Sequence, residues 1–161
     1  MALRPQRDVL HTEISYTLND VAAPGVVLVH STQGSGIALG DSAGVVTLAA
    51  SASGTTVAGV LLQDFVNIDQ TVRHRNFYKD QQVIGEKCNI MTKGWVVTNK
   101  VTGTPALGNK AYLTANGIVT PTVSSTGGTT ATPFVGRFGG AIDEDGYVKL
   151  EVNLPNNSVT A

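Results

Sequence analysis

Between Asp145-Gly146 and Pro155 the chain reads Tyr147-Val148-Lys149-Leu150-Glu151-Val152-Asn153-Leu154, with an apolar residue at every second position. Successive side chains of an extended backbone leave opposite faces. Val148, Leu150, Val152 and Leu154 therefore share one face, and Tyr147, Lys149, Glu151 and Asn153 share the other. This is the pattern of a strand with one side in a core. Asp145-Gly146 ahead of it supplies the positive φ angles of a tight hairpin turn, and Pro155 ends the pairing because it has no N–H to donate. The same grammar surrounds Asn116-Gly117, between Ala111-Tyr112-Leu113 and Ile118-Val119.

Further strands are predicted at Val26-Val27-Leu28-Val29 after the turn Pro24-Gly25, at Ile37-Ala38-Leu39, at Val45 to Leu48, at Val57 to Leu62, at Cys88 to Met91 and at Gly94 to Thr98. The expected architecture is mainly β: a compact β-barrel, β-tulip-like or sandwich domain with hairpins, an extended N-terminal arm and little helix. Residues 1–20 read as the arm, polar and proline-broken over Arg4-Pro5-Gln6-Arg7-Asp8 and alternating at Ile14, Tyr16 and Leu18. Residues 21–155 form a single β-rich domain and residues 156–161 a C-terminal tail. An arm strand needs a sheet to join, supplied by its own domain or by a partner through an exposed edge. Residues 63–85 are polar and aromatic without a helical stripe, and read as a long structured connection. Residues 123–133 are of low complexity and read as a mobile loop.

The 161 residues suffice for one domain with a real core. Charged residues make up only 14%, against about 25% in ordinary domains. With 18 glycines and 42% hydrophobic residues, this suggests a surface partly covered by other copies or by a partner. A net charge of −1 argues against nucleic acid as the main partner. The single cysteine, Cys88, allows no intrachain disulfide and reads as a buried apolar residue. The N-terminus lacks an apolar signal segment, and no apolar run is long enough to span a bilayer, so no membrane association and no Sec-type export are expected.

No catalytic constellation emerges. His30-Ser31 and Gly34-Ser35-Gly36 do not match a nucleophile elbow, and neighbours on a strand point apart. Gly34, Gly36 and Gly40 lack the spacing and the helix of a dinucleotide loop. His11, His30, His74 and Cys88 are scattered, and His11 with Glu13 offers only two metal ligands. Asp143 to Gly146 lacks the later ligands of a calcium loop and reads as a turn. No cofactor is expected. Arg73, His74, Arg75, Phe77 and Tyr78, followed by Lys79, are the one basic and aromatic cluster. Asp64, Asp69 and Asp80 dilute it, which favours a protein contact over nucleic acid.

Arg7 to Tyr16, Val66 to Thr71, Thr92 to Asn99 and Asp143 to Val148 resemble, in this order and with Val57 to Leu62 and Val135-Gly136 between them, segments of tailed-bacteriophage head decoration (capsid cement) proteins. The resemblance covers most of the chain and departs from the compact lambda-type members in residues 63–85. It implies a non-enzymatic protein on the outer surface of the virion capsid, made in the bacterial host cytoplasm. Such a protein binds the expanded head as a homotrimer and clamps adjacent copies of the major capsid protein. On this reading the arm residues Arg4, Arg7, Val9, Ile14, Tyr16 and Leu18 contact the capsid. Arg73, His74, Arg75, Phe77 and Tyr78 contact the capsid or a neighbouring subunit. A phage tail, fibre or receptor-binding β-module is the alternative. The outward row of the last strand either faces solvent or lies where a trimer closes.

Overall fold

The computed structural model describes residues 3–32, 44–63, 84–85, 87–123 and 132–154. The expected strand at Ile37 to Leu39, the connection through Arg73 to Tyr78, most of the low-complexity loop and the tail lie outside these residues. The described part is mainly β. Its strands are β1 (Leu3–Glu13), β2 (Thr17–Leu18), β3 (Val27–His30), β4 (Val45–Thr47), β5 (Val57–Gln63), β6 (Asn89–Thr98), β7 (Lys110–Leu113), β8 (Val119–Thr120), β9 (Phe134–Phe138) and β10 (Val148–Asn153). The helical content among the described residues is a 3-10 turn at Ala115–Gly117.

All strands belong to one sheet that branches at β6. Along one edge of β6 runs β1, antiparallel, from Leu3 opposite Thr98 to Glu13 opposite Ile90. The other edge is divided. β5 pairs with its first part, Val60 opposite Met91 and Leu61 opposite Ile90, and β10 pairs with the rest, from Asn153 opposite Lys93 to Val148 opposite Thr98. From β5 extends a wing in the order β5-β3-β4-β2, and from β10 a second in the order β10-β9-β7-β8. Only the β2–β4 pairing is parallel among these ladders.

The wings enclose the main core. Val27, Val29, Val57, Val60 and Leu62 of the first wing meet Ala111, Leu113, Val135, Phe138, Leu150 and Val152 of the second. The expected alternation in β10 holds: Val148, Leu150, Val152 and Leu154 are buried, whereas Lys149, Glu151 and Asn153 are exposed. The unbroken apolar runs of β3 and β5 have a different cause. Their other face is buried too, with Leu28, Ala58 and Leu61 joining Leu18, Ala22, Val46, Cys88 and Ile90 in a second cluster under Tyr16 and Leu48. Strands buried on both sides read as continuous hydrophobic sequence, and strands buried on one side alternate.

Local chemistry sets the turns. Asn116 and Gly117 both take positive φ, 59° and 73°, and place Leu113 opposite Val119 across the β7–β8 pair. At the β9–β10 connection the structure differs from the simple Asp-Gly hairpin. Of Asp145 and Gly146 only Gly146 has positive φ, and the turn spans Asp143 to Tyr147. Asp143 N–H donates to the Tyr147 carbonyl, and the Asp143 carboxylate accepts from the N–H groups of Asp145 and Tyr147. An aspartate that bonds its own following backbone favours this turn over a two-residue loop.

The segments expected as separate strands at Cys88 to Met91 and Gly94 to Thr98 form the single strand β6. Gly94 makes this possible. Its φ is 136°, and a Cβ there would lie 2.1 Å from the Asp8 carbonyl oxygen of β1. Cys88 is buried, its Sγ 3.4 Å from the Tyr16 carbonyl, and desolvation pushes its pKa up to about 11.

Three outcomes are expected. Gly94→Ala must push β1 off β6 and lowers stability by about 2 kcal/mol or more. Gly140→Ala, with open space around its Cβ, stays within about 0.5 kcal/mol of the parent; urea unfolding measures both. Because the reactive species is the thiolate, Cys88 is expected to resist a thiol reagent at pH 8 in the folded protein and to react once denaturant is added. Rapid reaction without denaturant would contradict its burial.

Candidate functional site

The N-terminal strand is the element that sequence reasoning marks for contacts, and the structure disperses its six candidate residues. Arg4 reaches across to the β9–β10 turn. Its guanidinium is 3.0 Å from Asp143 Oδ2, also pairs with Asp145, and lies 4.2 Å over the Tyr147 ring. Arg7 Nη1 donates to the Leu62 carbonyl at 3.3 Å. Val9 is half-buried against the main core. Ile14 is 62% exposed on the short link between β1 and β2.

Tyr16 and Leu18 do not belong to an exposed arm face. Tyr16 packs on the second cluster with its ring 5.2 Å from that of His30, edge to face, and Leu18 is fully buried in that cluster. The expected row Ile14, Tyr16, Leu18 is therefore broken. The backbone leaves β1 after Glu13 and joins the first wing at β2, so Leu18 turns inward. The exposed apolar pair of this region is Leu10, 65% exposed, with Ile14. Leu10 is missed because the alternation of the arm is read only from Ile14, Tyr16 and Leu18.

The arm finds its sheet within its own domain. One edge of β1 is committed to β6, and the strand is irregular at three places, between Leu3 and Arg7, Val9 and His11, and His11 and Thr12. Such bulges, with Pro5 and the charges of Arg7 and Asp8, are what keep a free strand edge from templating another chain. Side-chain contacts through the face of β1 are favoured over addition of a further strand.

The Asp143 carboxylate links this arm to the sheet. Its Oδ1 holds the turn, and its Oδ2 accepts from Arg4. The start of the N-terminal strand and the last turn, one near each end of the chain, thus meet in one contact. On the adjoining outer face Lys149 Nζ lies 4.2 Å over the half-buried Trp95 ring. Trp95 and Lys149 occupy neighbouring strands, and cation–π geometry holds the outward lysine down on the sheet.

His11 and Glu13 are each engaged by a neighbouring hydroxyl residue. His11 Nδ1 is 2.8 Å from Thr92 Oγ1, and Glu13 accepts from the N–H and hydroxyl of Ser15. Those hydrogen bonds hold the Glu13 carboxyl below its ordinary pKa. Among the described residues no group of three or more His, Cys, Asp and Glu side chains is placed to hold a metal ion. No helix among them is long and apolar enough to cross a membrane. Arg73, His74, Arg75, Phe77 and Tyr78 lie outside the described residues.

Arg4→Gln removes both carboxylate partners and the ring contact at a partly exposed site, and is expected to cost about 1 kcal/mol, less at high salt. Asp143→Ala should cost more, because two turn N–H groups also lose their acceptor. Hydrogen exchange provides the check: both variants accelerate the amides at the start of β1, and only Asp143→Ala accelerates that of Tyr147. Searches with the sequence find no matching protein-family model and no matching curated protein.

Proposed function

We propose that the chain is a non-enzymatic decoration protein that binds the outside of an expanded bacteriophage head, as a homotrimer, and stabilises the shell by clamping adjacent major capsid subunits. The observation that carries the reading is the arm itself. β1 lies along the outer edge of the sheet with most of its residues exposed, presents Leu10 with Ile14 just beyond its end, and is anchored by Arg4 to the Asp143 turn. A strand held in place by its own domain is already ordered when it meets a partner, so little conformational entropy is lost on contact.

The order of family-like segments supports the same reading, and so does the sparse charge of the chain, which suits a surface closed against protein. Three modest contacts on one trimer act together through effective concentration, so each shell contact can be weak while the assembly stays bound. In this role the exposed face of β1 meets the capsid, and Tyr16 and Leu18 serve the fold beneath it.

Purified protein mixed with undecorated expanded heads is expected to co-sediment at micromolar concentration and to protect the heads against heat. A Leu10→Glu, Ile14→Glu double variant should keep its far-ultraviolet spectrum and lose co-sedimentation. Failure of the parent protein to bind heads would overturn the proposal. Labelling found on the tail of the intact virion would favour the tail or fibre module instead.

A further inference from the structure

The branch in the sheet leaves a cavity. Where β10 ends and β5 begins, the two wings part over Thr92 and Lys93 of β6, and the space between them measures about 490 Å³. That volume falls in the range of small-molecule sites and holds one or two sugar units. The inner surface is formed by the buried Val57, Ala58 and Leu154, with the half-buried Tyr16 ring to one side. Around the opening stand the exposed His11, His30, Thr56, Lys93 and Asn153.

The rim has a definite chemistry. Lys93 is its fixed positive charge, and among the described residues no aspartate or glutamate lines the cavity. Lys93 has no ion-pair partner among the described residues, and the Thr56 hydroxyl and Asn153 amide have no hydrogen-bond partner there. The rings at the opening are fixed: His11 by its bond to Thr92, and His30 by its edge contact with Tyr16. Partial desolvation lowers the pKa of His30, so near neutral pH it offers a neutral donor and acceptor.

We propose that this cavity is a binding site for an acidic sugar, a hexuronate or related carboxylated pyranose. A pyranose presents C–H groups on its faces and hydroxyls at its rim. It therefore matches an apolar floor with a tyrosine ring, surrounded by hydroxyl, amide and imidazole groups. The carboxylate is what Lys93 selects. A neutral sugar leaves that charge without a counterpart, and a simple aliphatic carboxylate leaves Thr56 and Asn153 without one. The site shares His11 with β1, and its test, which needs no capsid, does not depend on the role assigned to that strand.

Amide chemical-shift titration with relaxation-optimised detection, which serves one 16.7 kDa chain or an assembly of several, takes glucuronate, glucose and propionate as probes. Glucuronate is expected to give saturable shifts at Thr56, Thr92, Lys93 and Asn153 with an affinity of about millimolar, as befits a ligand of this size. Glucose and propionate should each bind at least about fivefold more weakly. Lys93→Gln should abolish the preference for glucuronate over glucose, and Asn153→Ala should weaken both sugars; a native-like spectrum of each variant confirms the fold. No saturable shift with glucuronate, equal binding of glucose, or equal binding of propionate would overturn the proposal.

Discussion

The whole sheet hangs on the two edges of β6. A strand has one row of backbone donors and acceptors on each side, and here one row is taken by β1 while the other is shared between β5 and β10. Both wings are thereby fixed to the same rod, and their inner faces are brought together around Val60, Leu150, Phe138 and Val152. Burial of such side chains contributes about 2 kcal/mol each. Hydrophobic burial stabilises the closure, and the hydrogen-bond ladder of β6 decides where the closure occurs.

Several elements are legible in the sequence because their cause is local. The alternation of Val148 to Leu154 reports a strand with one buried face, and Asn116-Gly117 reports positive φ at two adjacent positions. The continuous runs of β3 and β5 carry more information than strand propensity alone: they mark the wing that is buried on both sides. The unity of β6 is not legible. Thr92-Lys93-Gly94 looks like a break, yet Gly94 is the residue that lets Asp8 of β1 approach its backbone. The reason for that glycine lies on another strand.

The candidate arm residues show the same division. The sequence marks residues 1–20 as an arm, and residues 3–13 do form a largely exposed strand, but the side chains expected to share one face are dispersed. Leu18 obeys the alternation of Ile14 and Tyr16 on paper, whereas the chain changes direction between β1 and β2 and buries it. Arg4 reads as part of a polar arm, and its partners Asp143 and Asp145 read as a turn. Nothing in either segment announces an ion pair spanning 141 positions. Local patterns specify faces and turns; which faces meet is settled by the cooperative fit of the whole sheet.

The division of the β6 edge has a consequence for binding as well as for folding. Two strands that meet end to end on one edge cannot both continue, so each must turn away where the other begins. At that point Leu154 N–H donates to the Thr92 carbonyl and closes the backbone ladder, but the side chains above it diverge. The resulting notch is lined by the polar residues His11, Thr56, Lys93 and Asn153, over the apolar Val57, Ala58 and Leu154. A polar rim on an apolar floor thus follows from the topology itself. The lysine at the branch, with no carboxylate beside it among the described residues, then gives the notch a preference among the ligands that fit.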